Sequence, residues 1–185
     1  MESYQCLFDK VYVTDPNSLK QRLCDPVPIS HILCLEEIKF AKKIHSYNPV
    51  ILNTKKHPVL STQWIRIFHI CHEQIKKGIE HNGCLIVTHD LSIVKLIIYS
   101  YLISNNSKLS IKQITTEYPE LLKNIYFTEN QFYQLQVWRS MKGVLDETNK
   151  YLNQLNTGSM TEIINSEDKA IQERIKQAMG AYKSI

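Results

Sequence analysis

The stretch Gly83-Cys84-Leu85-Ile86-Val87-Thr88-His89-Asp90 joins a short apolar run to a polar turn. Four consecutive apolar residues after a glycine are typical of a β-strand that is covered on both faces. The segment from Leu91 to Ser104 follows directly and is apolar on most sides, so we predict a central helix there. A buried strand that passes through a short turn into a buried helix indicates an α/β fold.

Three segments upstream predict further strands of the same sheet. Tyr4 to Val13 alternates apolar and polar residues around a turn at Asp9-Lys10, which predicts a small hairpin. His31 to Leu35 and Val50 to Leu52 are short apolar runs of the kind that buried strands show. We therefore expect a single α/β domain in which a central, mainly parallel sheet carries helices on both faces.

Helical signals occupy much of the remaining sequence. The segment from Asp15 to Cys24 opens with an Asp-Pro pair, which is typical of a helix start. Ser61 to Lys77 has apolar residues at three- and four-residue spacing, with Ser61 or Thr62 as the predicted N-cap. Two further helices are predicted, one from Ser110 to Glu117 and one from Thr128 to about Leu155.

We divide the chain into a domain of residues 1–149 and a C-terminal helical extension of residues 150–185. Thr157-Gly158-Ser159 is typical of a linker. The segment from Glu162 to Tyr182 is charged and carries only a sparse apolar stripe. A helix with so little apolar surface needs a partner to be stable, either this domain or another protein.

The composition excludes several classes of protein. Hydrophobic residues make up 43% of the chain, which is too many for a disordered protein. The net charge of +4 is spread along the chain, so we expect no nucleic-acid partner. The longest apolar stretch, Ile93 to Ile103, contains Lys95 and is too short to span a bilayer, so we expect no membrane partner. The five cysteines include no Cys-x-x-Cys pair and no signal peptide is visible, so we expect a cytoplasmic protein.

The order of these elements resembles that of the dual-specificity phosphatases, which belong to the protein tyrosine phosphatase superfamily. In that family a buried strand delivers the catalytic loop, and the next helix ends in an aromatic-Leu-Met-like stretch. Gly83 to Asp90 and Ile97 to Ile103 match these two features. The flanking motifs that agree in order and spacing are Asp9 to Val13, His31 to Leu35, Leu109 to Gln113 and Asn130 to Leu135. The resemblance spans roughly Leu7 to Met141 and implies a dual-specificity phosphatase-like fold.

The catalytic loop of that family carries a Cys nucleophile, a glycine and an Arg, and this chain matches none of them. The thiolate attacks phosphorus, backbone amides cradle the phosphate, and the Arg clamps its oxygens. Here His89 falls at about the nucleophile position, and Ile93 or Val94 falls at the Arg position. The degenerate loop positions are Thr88, His89, Asp90, Leu91, Ser92 and Ile93.

The general acid of the family has no counterpart either. The family places an Asp after the strand that precedes the long helix, where it protonates the leaving oxygen. Asn53 and Thr54 stand at this position, and neither gives up a proton at neutral pH. The resemblance therefore implies a catalytically inactive member, a pseudophosphatase, with no catalytic residue, no metal and no cofactor.

His89 leaves alternatives open. It could help to hold an anion together with Lys55 and Lys95, or it could act as a nucleophile of altered chemistry. The simpler interpretation is a polar residue on a surface turn.

A second cluster lies in the predicted helix from Ser61 to Lys77. His69 and His72 flank Cys71 and could contribute to a metal site if a third ligand came from elsewhere. We favour core packing for Cys71 and a partly exposed edge for the two histidines.

Three functional hypotheses follow. The first is a pseudophosphatase that acts as a protein-binding or scaffold module with one or more protein partners. The second is a structural subunit of a large cytoskeletal or ciliary assembly, in which the fold is a rigid block. The third is an enzyme with altered chemistry at His89.

Overall fold

The computed structural model describes residues 5–19, 23, 28–38, 46–59, 61–121 and 123–157. The helix predicted from Asp15 to Cys24 lies partly outside these residues, and the helix predicted from Glu162 to Tyr182 lies wholly outside them. Both therefore stay predictions.

Five strands form a single sheet. They are β1 (Gln5–Phe8), β2 (Val11–Thr14), β3 (His31–Cys34), β4 (Pro49–Ile51) and β5 (Cys84–Val87). The strand order is β1-β2-β5-β3-β4, with β1 antiparallel to β2 and the other neighbours parallel. The predicted α/β class and the mainly parallel sheet are confirmed. β5 lies at the centre, because β2 and β3 pair with its two edges, and all four of its residues are buried.

The predicted hairpin is β1 and β2. Asp9 and Lys10 join them with φ angles of 31° and 64°. A tight two-residue turn with positive φ at both positions matches the right-handed twist of the paired strands. The hairpin thus places β2 beside β5.

Four helices follow in the described part of the chain. They are α1 (Gln63–Glu80), α2 (Leu91–Asn105), α3 (Ile111–Glu117) and α4 (Glu129–Thr157). Each was predicted to within a few residues. A single 3-10 turn, Thr54–Lys56, lies between β4 and α1.

The predicted side-chain cap of α1 is wrong. Thr62 occupies the N-cap position, but its backbone is already helical and its side chain accepts no capping hydrogen bond. The Ser61 hydroxyl is buried and has no hydrogen-bond partner among the described residues. An N-cap residue aims its oxygen at the helix amides from an extended conformation, and Thr62 does not adopt one. Ser110, in contrast, is extended and forms a reciprocal capping box with Gln113 at the start of α3.

The main core lies between one face of the sheet and the helices. Leu33 and Ile86 point from the sheet into this layer, where Trp64 and Phe68 of α1 and Trp138 of α4 are fully or almost fully buried. Each such large side chain contributes about 1.5–3 kcal/mol of burial free energy. This core therefore fixes α1 and α4 against the strands that lead to the β5–α2 loop.

The opposite face of the sheet carries a smaller cluster. Ile32, Cys34, Leu85 and Val87 alternate in sequence with the residues that face the helices. Leu19, Leu23, Ile29, Ile38 and Tyr47 pack against them. The buried apolar side chains of the four described helices all join the first cluster, so the expectation of helices on both faces stays a prediction for this second face.

The long helix α4 crosses the predicted domain boundary at residues 149 and 150 without interruption. Among residues 129–149, whose burial is described, the buried side chains are Gln131, Gln134, Leu135 and Trp138, near the N-terminal end of the helix. Among the described residues, no helix is both long enough and apolar enough to cross a membrane.

Candidate functional site

The candidate site is the loop that joins the central strand β5 to α2. The Thr88 amide donates to the Thr14 carbonyl and the Leu35 amide donates to the Val87 carbonyl, so the neighbouring strands fix the loop from both sides. The loop thus lies at the carboxyl edge of the parallel strands, where α/β proteins commonly bind ligands. The sequence-predicted loop positions meet at this edge.

Asp90 caps α2 and takes up its free amides. Its carboxylate accepts hydrogen bonds from the amides of Ser92 at 2.9 Å and Ile93 at 3.4 Å, and from the Ser92 hydroxyl at 2.6 Å. The Asp90 amide itself donates to the Thr88 hydroxyl at 3.0 Å. The amides at a helix N-terminus are the groups that would bind a phosphate, and here a side-chain carboxylate already binds them.

A second carboxylate closes the other side of the loop. Glu36 follows β3 and is only 7% exposed. Its Oε1 accepts from the His89 amide at 2.5 Å and lies 3.1 Å from Nδ1 of the His89 ring. Its Oε2 accepts from Lys55 at 2.7 Å. Glu36 therefore ties β3, the loop and the 3-10 turn together.

The electrostatics keep Glu36 ionised. Burial acts to raise its pKa, but the hydrogen bonds from Lys55 and from the His89 amide, with the charge of Lys55, outweigh burial and lower the pKa below its ordinary value. The hydrogen bond and charge of Glu36, with a smaller contribution from Asp90, raise the pKa of Lys55. Lys55 is thus paired with Glu36 and is also stabilised in its charged form by the more distant Asp90 carboxylate.

Both ring nitrogens of His89 have partners. Nδ1 contacts Glu36, and Nε2 lies 3.3 Å from the side-chain amide nitrogen of Asn17. With the proton on Nδ1, the ring donates to Glu36 and accepts from Asn17. The side chain is half exposed, so it is a surface residue held in one orientation.

The two residues at the predicted general-acid position have backbone roles. The Thr54 hydroxyl is buried and donates to the Leu35 carbonyl at 2.8 Å. Asn53 precedes the 3-10 turn and its carbonyl accepts from the Lys56 amide. Both residues hold the segment that positions Lys55.

Lys95 does not join the other two predicted anion-binding residues. Its ammonium donates to the Ile125 carbonyl and lies 5.5 Å and 5.2 Å from the ring centroids of Tyr99 and Phe127. Burial lowers its pKa. The structure thus brings His89 and Lys55 together at Glu36, and places Lys95 in a separate aromatic cleft.

The remaining loop positions connect the site to α4. The Ser92 hydroxyl accepts from the Gln131 side chain at 3.0 Å. Leu91 is exposed and Ile93 is partly buried against the main core. The start of α4, with its exposed Phe132 and Tyr133, therefore lies beside the loop.

The expectation for the histidines of α1 is wrong for His72. It is buried, with Nε2 2.8 Å from the Ser100 hydroxyl and Nδ1 3.2 Å from the Ser104 hydroxyl. Burial, with the charges of His69 and Lys142, lowers its pKa to about 3. Sequence spacing did not reveal this because the serines come from α2. Cys71 is buried as expected, and the described residues contain no group of three or more possible metal ligands.

Sequence reasoning missed Glu36 and Asn17 as members of the site. A signal for Glu36 was present, because it directly follows a predicted parallel strand and must lie at the same sheet edge as the loop. Nothing in the sequence marks Asn17. Comparison with protein-family models, with curated proteins and with solved structures gave no match.

Proposed function

We propose that this chain is a non-catalytic protein-binding or scaffold module built on a dual-specificity phosphatase-like fold. The observation that carries the proposal is the loop between β5 and α2, whose amides are bound by the chain's own carboxylates. Glu36 and Asp90 occupy the groups that a phosphatase would use for its substrate. The position of the loop after a central buried strand supports the fold assignment.

The charges at the loop oppose phosphate binding. Two carboxylates, Glu36 and Asp90, surround the loop, and Lys55 is the lysine paired with Glu36. A phosphate dianion would meet a net negative environment and would have to displace Asp90 from the helix amides. Like charges disfavour such binding.

Among the residues that the structure describes, neither the nearest cysteine in sequence nor His89 offers the loop a reactive nucleophile. Burial raises the pKa of the Cys84 thiol to about 12, so it is protonated at neutral pH, and it lies at the far end of β5 from the loop. The thiolate is the attacking species in cysteine catalysis. His89 has a partner at each ring nitrogen, which leaves neither free for attack.

Exposed aromatic side chains at the start of α4, which lies beside the loop, and in the segment that precedes it support protein binding. Tyr126, Phe132 and Tyr133 are 84%, 46% and 62% exposed. Aromatic residues are enriched in protein interfaces, because they bury a large area at little cost in side-chain entropy. A surface of this kind, next to a loop without a binding function of its own, favours a partner protein over a small phosphorylated substrate.

Two measurements on the full chain test the proposal. The first assays hydrolysis of an aryl phosphate and records thermal shifts with phosphate and vanadate. We expect no turnover and no stabilisation. Turnover that is abolished by His89→Ala would contradict the proposal and support altered chemistry at this residue.

The second measurement captures partners with the full chain and reconstitutes the complex from purified proteins. We expect a defined complex that the double substitution Tyr126→Ala and Tyr133→Ala weakens, and that Lys76→Ala on the exposed side of α1 leaves unchanged. Failure to form any complex from purified components would count against a binding module.

A further inference from the structure

A cleft of about 350 Å³ lies between α2, α3 and the segment that leads into α4. Its walls are mostly apolar and aromatic, and they are formed by Tyr99, Ile111, Tyr118, Leu121, Tyr126 and Phe127. Tyr99 and Phe127 meet edge to face, with centroids 5.0 Å apart. Part of the cleft wall is therefore fixed by contact between two aromatic rings, one from α2 and one from the segment before α4.

Two lysines line this cleft, and no carboxylate does so among the described residues. Lys123 is paired with Glu120 at 3.3 Å on the surface. Lys95 is partly buried and has one hydrogen-bond acceptor among the described residues, the Ile125 carbonyl. An ammonium group carries three donors, so Lys95 can bind a further anionic acceptor in a place that is partly shielded from water.

A second groove adjoins the cleft at Phe127. It runs along the start of α4 and is lined by Thr128, Glu129, Asn130, Phe132, Tyr133 and Gln136. Glu129 gives this end an acidic character, whereas Lys95 gives the first cleft a basic one. The two together are called here the aromatic groove. They share Phe127, their walls are mostly apolar, and they differ in charge, with Lys95 and Lys123 in the first and Glu129 in the second.

The exposure of the rim favours a peptide as the ligand. Tyr126, in the first cleft, and Tyr133, in the second groove, are largely exposed, so both parts of the aromatic groove are open to solvent at these side chains. Small-molecule sites usually enclose most of their ligand, whereas an open groove admits a peptide segment whose side chains lie against the groove walls.

We propose that the aromatic groove binds an extended segment of a partner protein in which a carboxylate side chain is followed or preceded by an aromatic or large aliphatic one. The carboxylate pairs with Lys95, and the apolar side chain lies against Phe127 and Phe132. This inference rests on the proposed binding function and names the chemistry that the partner presents.

The test selects binders of the immobilised full chain from a random dodecapeptide library displayed on phage. We expect the enriched peptides to carry Asp or Glu near Phe, Tyr, Trp or Leu. Lys95→Gln should weaken a selected peptide about tenfold, because one partly desolvated charge pair is lost. Lys112→Gln on α3 is the matched control, because it removes the same charge from an exposed position outside the groove.

A second variant guards against misfolding at the partly buried Lys95. Tyr126 is at the rim and mostly exposed, so Tyr126→Ala should fold normally and still weaken the peptide. Enrichment of peptides without carboxylates, or equal binding to the Lys95 and Lys112 variants, would overturn the inference. So would a free aryl carboxylate that binds as tightly as the peptide.

These experiments distinguish a failure of the aromatic groove as the binding site from a failure of the proposed binding function. If the full-length partner found by capture binds the Lys95 and Tyr126 variants unchanged, the aromatic groove is not its site, although the chain remains a binding module. If no partner forms a complex, the proposed function itself fails.

Discussion

Among single residues, Glu36 has the largest part in shaping the loop. It is almost fully buried, and it accepts hydrogen bonds from Lys55 and from the His89 amide and contacts the His89 ring. We expect Glu36→Gln to lower the free energy of unfolding by about 1–3 kcal/mol, because hydrogen bonds to a buried charge are lost. Urea denaturation of the wild-type chain and the variant measures this.

The adjacent Glu37 provides the control. It pairs with Lys56 at 3.4 Å, but both side chains are mostly exposed. An exposed pair contributes little, so Glu37→Gln should change stability by less than about 0.5–1 kcal/mol. Equal losses in the two variants would mean that Glu36 is not the residue that holds the loop.

His72 makes stability depend on pH. Burial lowers its pKa from the ordinary 6.5 of an exposed histidine to about 3 in the folded chain. The unfolded chain therefore binds a proton below pH 6.5 that the folded chain does not, so stability is complete above this pH and falls as the pH drops towards 3. We expect a loss of about 1.4 kcal/mol from this residue between pH 8 and pH 5.5.

The comparison of the wild-type chain with His72→Gln isolates this effect. Burial, with the charges of His81 and Lys77, also lowers the pKa of His31. His31 therefore also reduces stability as the pH falls, and it is still present in the His72 variant. The variant should therefore lose less stability between the two pH values. His69→Gln removes only a smaller cause of the low pKa of His72 and leaves its burial, the largest cause, in place, so this variant should keep most of the wild-type pH dependence. Equal pH dependence of stability in all three chains would show that His72 is not its source.

At the level of elements, the close contact between α1 and β5 depends on a glycine. A Cβ atom at Gly78 would lie 2.5 Å from Cβ of Cys84 and 2.9 Å from its backbone. Gly78→Ala must therefore push the helix away from the central strand, and we expect a loss of about 1–3 kcal/mol in unfolding free energy. Gly143 in α4 has open space around it, so Gly143→Ala should stabilise the chain by up to about 1 kcal/mol through helix propensity.

Thermal and urea unfolding measure the stability of the two variants. If this packing is correct, Gly78→Ala lowers the free energy of unfolding and Gly143→Ala raises it. Stabilisation by Gly78→Ala would mean that α1 does not approach β5 as closely as the distances indicate. A glycine-to-alanine change thus measures close packing at position 78 and backbone entropy at position 143.

The elements were largely predictable because their signals are local. The apolar run of β5, the Asp90 cap of α2 and the capping residues of α3 each lie within a few positions of the element that they define. The predicted side-chain cap of α1 was wrong because a cap also depends on backbone conformation, which is not a local sequence signal. Ser61 and Thr62 have side chains suited to capping, but the backbone of Thr62 is already helical, which the sequence alone does not show.

At the scale of the whole molecule, the site was only partly predictable. His89 and the loop positions followed from the strand and helix around them, whereas their partners come from three distant segments that contain Asn17, Glu36 and Lys55. The position of Lys95 depends on the path of the chain through Ile125 and Phe127, which has no periodic signal. Whether the loop still binds an anion depends on these tertiary contacts.

The cysteines offer a measure of how the whole fold opens. Cys34, Cys71 and Cys84 are fully buried, and Cys6 is exposed. Burial raises the pKa of Cys34 and Cys84 to about 12 and also raises that of Cys71. Because labelling reagents react with the thiolate, these three thiols should react only when the core opens. Cys24 lies outside the described residues, so the experiment uses a Cys24→Ser chain.

We expect this chain to show one fast thiol and three slow ones in native buffer, and four fast ones in concentrated denaturant. Adding Cys6→Ser should remove the fast phase and leave the slow phase unchanged. Because the three slow thiols lie in β3, α1 and β5, equal slow rates would show that the central strands and α1 open in one cooperative step. A second fast thiol in native buffer would contradict this packing, and mass spectrometry of the labelled peptides would identify which strand or helix opens first.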